Sequence, residues 1–142
     1  MKKTLIVMGG AILIGVGLAF YFFNGIQKKE VIDSLEELSA FQIGVFTNYD
    51  NALRVAERNN GIVVNDNSVY RVYVALLKDI EAIERVENYY EDIGLNYYIK
   101  SVLVSSNFTD DIKVYEDMIK KSNSDTYNTI NVEILTKYQE LL

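Results

Sequence analysis

The 142 residues include no cysteine, no histidine and no proline. Without cysteine there is no disulfide, no thiolate nucleophile and no lipid-modified cysteine. Without cysteine and histidine the usual zinc sites and the Ser-His triads cannot be assembled, so no metal or other cofactor is expected. Without proline, and with little glycine, there is no long flexible linker. Four of the eight glycines, at positions 9, 10, 15 and 17, fall in one apolar run, so no glycine-rich phosphate loop can be drawn. Carboxylates are plentiful, but Glu36-Glu37, Glu91-Asp92 and Asp110-Asp111 stand in helical or cap contexts. They read as solvated faces and first-turn carboxylates facing the helix dipole. No set of base, nucleophile and stabiliser emerges, so an enzyme is not expected.

Basic residues are also few. Fourteen Lys and Arg stand against twenty Asp and Glu, a formal charge of −6. Lys2, Lys3, Lys28 and Lys29 all flank the apolar run, and from residue 30 onward ten basic residues face twenty acidic ones, a charge of −10. An acidic domain repels nucleic acid and anionic lipid.

What the chain does have is a charge-free stretch from Thr4 to Phe23, TLIVMGGAILIGVGLAFYFF. Twenty helical residues span roughly 30 Å, the thickness of a bilayer core. Phe20, Tyr21, Phe22 and Phe23 crowd its far end, where aromatic rings favour the headgroup boundary. A cleaved signal peptide has a shorter apolar core followed by small residues, and large aromatics stand there instead. The expectation is an uncleaved single-pass anchor in a cell membrane, with the N-terminus cytoplasmic and the remainder extracytoplasmic. Ala11, Gly15 and Ala19 recur every four residues. That spacing suits a homodimer through paired transmembrane helices, or is ordinary membrane-helix composition.

The expected layout is a transmembrane anchor over 1–24, a juxtamembrane helical stalk over 25–40, a folded domain over 41–104 and a helical extension over 105–142. Val31, Leu35 and Leu38 give the stalk its apolar side. Residues 41–46 read as a strand, and Thr47 or Asn48 caps a helix running to Asn59. Asn60-Gly61 ends that helix, 61–64 is a short strand, and 65–68 is turn chemistry. A third strand follows over 69–77. Asp79 caps a second helix that Gly94 ends, and 95–104 is a fourth strand.

The order βαββαβ is the split, ferredoxin-like arrangement, an α+β fold with a four-stranded antiparallel sheet. Two helices on one face would leave the other bare. Alternation turns Ile43, Val45, Val72 and Val74 toward the helices, and Gln42, Gly44, Arg71 and Tyr73 outward. Gly44 would leave a shallow groove on the bare face.

The run Phe41-Gln42-Ile43-Gly44-Val45-Phe46, then Asn48, Ala52 and Ala56, then Tyr70-Arg71-Val72-Tyr73-Val74, then Ala82 and Gly94, resembles a SPOR domain. The resemblance covers about residues 40–104. It departs at Ala75-Leu76-Leu77, where the family commonly has Gly-Pro-Phe. It implies a membrane-anchored protein of bacterial cell division or sporulation that binds peptidoglycan glycan strands stripped of their stem peptides. The implied glycan surface is the bare sheet face, with Gln42 and Tyr70 at the matching positions.

Saccharide binding needs apolar platforms with a few placed hydrogen-bond groups, which tyrosine supplies. Arg71 suits the lactyl carboxylate of a peptide-free muramic acid. The candidate glycan-binding residues are therefore Gln42, Gly44, Thr47, Tyr70, Arg71, Tyr73 and Tyr98. Tyr70 and Tyr98 read equally well as core or edge residues, and Arg71 as a solvated strand residue.

An alternative is a module that keeps the SPOR fold to bind envelope or divisome proteins without glycan. RNA-recognition folds share the topology, but no nucleic-acid partner is expected of so acidic a domain. The extension carries Ile112, Tyr115 and Ile119, then Ile130, Ile134, Tyr138 and Leu141, at helical spacing. It either packs on its own domain or serves a partner.

Overall fold

A computed structural model describes residues 34–142, and the anchor and the start of the stalk lie outside them. Among the described residues no helix is long and apolar enough to cross a membrane. Ser34–Leu142 form one compact α+β unit. Its elements are β1 (Leu35–Phe46), α1 (Tyr49–Arg58), β2 (Ile62–Asp66), β3 (Val69–Leu77), α2 (Ile80–Asp92), β4 (Tyr98–Ser105), α3 (Ser106–Lys121), a 3-10 turn (Ser124–Thr126) and α4 (Tyr127–Gln139). The four strands form one antiparallel sheet in the order β2-β3-β1-β4.

The first strand is twice its expected length. Residues 35–40, expected within a helical stalk, are strand. The reason is a division of labour along β1. Leu35 to Gln42 pair with β4, while Ser39 to Phe46 pair with β3. Leu38 and Ala40 are buried and Leu35 and Glu37 are exposed, so the period is two and not 3.6. Leu35 and Leu38, expected to share a helical face, fall on opposite faces of the strand.

Local chemistry sets the other boundaries. The Asn48 carboxamide accepts from the Asn51 amide at 3.1 Å and starts α1. Asp79 does the same for α2 through the Ala82 amide at 3.0 Å. Gly94, at φ +71°, follows the end of α2 in a conformation glycine adopts without a side-chain clash. The β2–β3 hairpin turns at Asn67-Ser68, with Asn67 at φ +57°. Ser105 caps α3 by accepting from the Phe108 amide at 3.3 Å.

The extension completes the core. Phe108, Ile112 and Ile119 of α3 and Ile130, Ile134, Leu135 and Tyr138 of α4 join the cluster that holds Leu38, Phe41, Tyr73, Leu76, Val86 and Tyr90. Val72 through Leu77 are six consecutive buried residues, none more than 2% exposed. Neighbouring strand residues point to opposite faces, so both faces of this half of β3 are covered. The expected bare face is thus closed here. A run of six apolar residues marks a strand buried on two sides.

Candidate functional site

Two register shifts on β1 decide which side chains meet. One lies between Phe41 and Gln42, the other between Gln42 and Gly44, and they leave Val74 and Ile43 without partners in the β1–β3 pairing. Gln42 sits between them, opposite Tyr73 on one side and Tyr98 on the other. Val74 is the extra residue on β3 and Ile43 the extra residue on β1, so the pairing register is restored beyond Gly44 while Gly44 no longer shares the face of Gln42.

The pairing corrects several expected orientations. Gly44 lies opposite Val72, which is buried against Ala52 and Ala56 of α1. Opposed residues share a face, so Gly44 belongs to the α1 side and not to an outward groove. Its missing side chain is filled from within the strand: a Cβ there would stand 2.4 Å from the Phe46 ring. Val45, expected to face the helices, lies opposite Arg71 and is 45% exposed. Tyr70 lies opposite Phe46, packs into the α1 cluster and meets Tyr49 edge-on at 5.5 Å. Gly44 and Tyr70 are therefore removed from the outward surface.

Tyr73 does lie opposite Gln42, but it is only 2% exposed. Burial first, then the neighbouring Tyr138 phenol of α4, pushes its hydroxyl pKa up. No ligand reaches it without displacing α4. Thr47 is exposed beyond the end of β1.

Three expected residues do come together. The Arg71 Nη1 donates to Gln42 Oε1 at 3.0 Å, and Tyr98, 67% exposed, stands opposite Gln42 on β4. Two further residues complete the group. Arg71 Nε donates to Asp66 Oδ2 at 2.6 Å, and Lys100 Nζ reaches the same oxygen at 3.2 Å. Asp66, Arg71, Gln42 and Lys100 come from β2, β3, β1 and β4, so the polar row crosses the whole sheet.

The row is half-buried, with side chains 22% exposed for Arg71, 31% for Lys100 and 37% for Asp66. The Arg71 hydrogen bond, followed by that of Lys100, holds the Asp66 carboxyl below its ordinary pKa. Two cations against one anion leave a local charge of +1 on an acidic chain. Chemically the row offers charge-assisted donors, a neutral amide and an adjacent exposed phenol ring.

Asp66 and Lys100 escaped the sequence reading for different reasons. Asp66 sat within the turn signal over 65–68, and Lys100 carried no signal beyond its place in the fourth strand. Only the strand order brings them to Arg71. Among the described residues no cluster of acidic side chains fits a metal ion.

A second concavity lies away from the row. It measures about 660 Å³ and is lined by Val114, Met118 and Lys121 of α3, Asp125 and Thr126 of the 3-10 turn, and Ile130 of α4. Val114 and Met118 are exposed on its wall.

Comparison with protein-family models, with curated proteins and with solved structures finds no match.

Proposed function

We propose that the chain is a membrane-anchored cell-envelope protein that binds peptidoglycan glycan strands lacking stem peptides, in bacterial division or sporulation. The observation that carries this reading is the polar row itself. Arg71 and Lys100 converge on one carboxylate beside Gln42, with Tyr98 exposed at its margin. A sugar ring stacks on the phenol, its hydroxyl and acetamido groups meet the amide, and a lactyl carboxylate meets the cations. The βαββαβ order and the strand order β2-β3-β1-β4 fit the ferredoxin-like arrangement that the SPOR resemblance implies. The binding surface in this reading is Gln42, Arg71, Lys100 and Tyr98, without Gly44, Tyr70 or Tyr73.

The test is sedimentation of the detergent-solubilised full chain with purified sacculi, amidase-treated against untreated. Enrichment on the amidase-treated sample is the expected result. Equal or absent sedimentation on both removes the reading. A reporter fused after Leu142 fixes which side of the membrane carries the domain, and a cytoplasmic signal is incompatible with peptidoglycan.

A second reading, a protein-binding module without glycan affinity, is favoured by the cleft between α3 and α4. Its exposed Val114 and Met118 offer an apolar seat for a partner's side chains. Loss of partner capture on Met118→Lys, with sacculus sedimentation absent throughout, supports it over the first.

A further inference from the structure

The cations that the glycan reading assigns to a ligand are already engaged from within the chain. A single oxygen, Asp66 Oδ2, accepts from both Arg71 Nε and Lys100 Nζ, at 2.6 and 3.2 Å. The two donors come from strands on either side of Gln42's strand, and Asp66 from the sheet edge, so the carboxylate lies over the sheet between them. Its own position explains how it gets there. Asp66 is the last residue of β2, next to the left-handed Asn67 of the hairpin turn.

We propose that Asp66 is a built-in competitor, whose carboxylate holds the seat that a ligand carboxylate takes over. The proposal deepens the glycan reading and rests on it for the ligand class, a saccharide bearing a carboxylate. Binding is an exchange. The ligand's carboxylate accepts from Arg71 and Lys100 while Asp66 turns to water, to which it is already 37% exposed. The two cations keep a carboxylate partner in both states, and the displaced Asp66 carboxylate is hydrated instead. A partly exposed ion pair is weak, so the exchange is small in free energy and readily reversed.

Two consequences follow for recognition. An anionic sugar gains over a neutral one, because only it replaces both interactions that Asp66 gives up. Neutral or weakly matched ligands leave Asp66 in place, so the cations do not attract anions indiscriminately. Gln42 is then the part of the row that serves neutral and anionic sugars alike, since its bond to Arg71 involves no charge exchange.

The experiment titrates the full chain in detergent micelles with N-acetylmuramic acid and, separately, with chitotriose, and follows the Arg71 Nε–H resonance by NMR. Asp66→Asn keeps the side-chain volume and removes the charge. Its expected effect is about fivefold tighter binding of N-acetylmuramic acid, the size of a solvent-screened ion pair, with chitotriose unchanged. Lys100→Gln, with Asp66 intact, is expected to lower the preference for the acid over the neutral sugar. It keeps the proposal testable if the Asp66 variant does not fold.

Equal affinity of wild type and Asp66→Asn for the acid overturns the proposal, as does equal tightening for both sugars or no binding of the acid by either form. If amidase-treated sacculi still sediment the wild-type chain in that case, the glycan reading stands and only the competitor role is lost. If sedimentation fails as well, both fall.

Discussion

Glu116 of α3 accepts hydrogen bonds from two consecutive backbone amides, Lys78 and Asp79, through the same Oε1 at 2.5 and 2.8 Å. The side chain is 4% exposed. These amides lie where β3 ends and α2 begins, so Glu116 fastens the C-terminal extension to the start of α2. A carboxylate there also faces the positive end of the α2 dipole.

Glu116→Ala leaves both amides without their partner in a buried setting. The expected loss of stability is about 1–3 kcal/mol. Glu116→Gln keeps an acceptor and is expected to lose less. Urea unfolding of the two variants checks the order, and equal losses would show that packing, not hydrogen bonding, dominates at this position.

The two glycines with tight surroundings should respond differently to an added methyl. At Gly44 the Cβ meets the Phe46 ring at 2.4 Å, and a ring at the end of a side chain can swing away. At Gly61 the Cβ meets the Tyr73 carbonyl oxygen at 2.6 Å, within a strand that cannot yield without breaking its pairing. Gly61→Ala is therefore expected to cost more than Gly44→Ala, with the latter near the low end of the roughly 1–3 kcal/mol range for overpacking. Phe46→Leu combined with Gly44→Ala should recover part of the smaller loss. Thermal melts of the three variants test this.

Acid should destabilise the domain through its depressed carboxylates. Asp79 is held below its ordinary pKa by the Ala82 amide it caps and then by Lys120, whose Nζ lies 3.0 Å away. Glu36 is lowered by the Lys78 and Thr109 hydrogen bonds, and Asp66 by Arg71 and Lys100. A carboxyl with a lowered folded pKa stabilises the fold above its unfolded pKa, and that contribution disappears as pH falls through the folded value. The reference values are 3.8 for Asp and 4.5 for Glu, so the melting temperature is expected to hold from neutrality to about pH 5 and then fall. Asp79→Asn retains the cap and should flatten the acid limb relative to wild type. An unchanged limb would remove Asp79 from the acid response.

Asn131 of α4 is 1% exposed, and its Oδ1 has no hydrogen-bond partner among the described residues. Its Nδ2 is 3.5 Å from the Tyr90 hydroxyl, a long contact. The Tyr90 hydroxyl itself donates to the Val74 carbonyl at 3.2 Å. Asn131→Leu removes an unpaired acceptor and leaves the Tyr90 bond in place. Stability is expected to rise by about 1 kcal/mol, read from the urea midpoint. A fall would mean that the Tyr90 contact outweighs the unpaired oxygen.

In the glycan reading, Gln42→Glu places a second carboxylate against Arg71. It acts both as an additional internal partner and as a repulsive charge for an anionic sugar. Sedimentation with amidase-treated sacculi is expected to drop at least severalfold, consistent with the cost of an unfavourable charge at a polar contact. Tyr73→Phe, at a buried position, should leave sedimentation unchanged.

Much of the fold was legible locally. Asn48 and Asp79 are side chains that cap helices wherever an apolar stripe follows, and both do so here. Gly94 ends α2 as its position implied, and the third strand runs over the expected residues 69–77. These features depend on a few neighbouring residues, and the chain carries that information in order. The first half of β1 did not, because the spacing of Val31, Leu35 and Leu38 reads as a helix and only pairing with the distant β4 makes the segment a strand.

The sequence by itself determined the element order, the acidic character and the absence of cysteine and histidine chemistry, since these depend only on residue identity and spacing. Tertiary structure alone decided which residues share a face. The register shifts around Gln42 put Gly44 on the α1 side and turned Val45 out beside Arg71, while Tyr70 shares the face of Val72 by alternation and packs against α1. The packing of α3 and α4 closed the surface around Tyr73. Strand order then carried Asp66 and Lys100, thirty-four positions apart, onto one hydrogen-bonding oxygen. A side chain's face depends on every residue inserted along its strand and on what later segments cover, and neither is written within a local window.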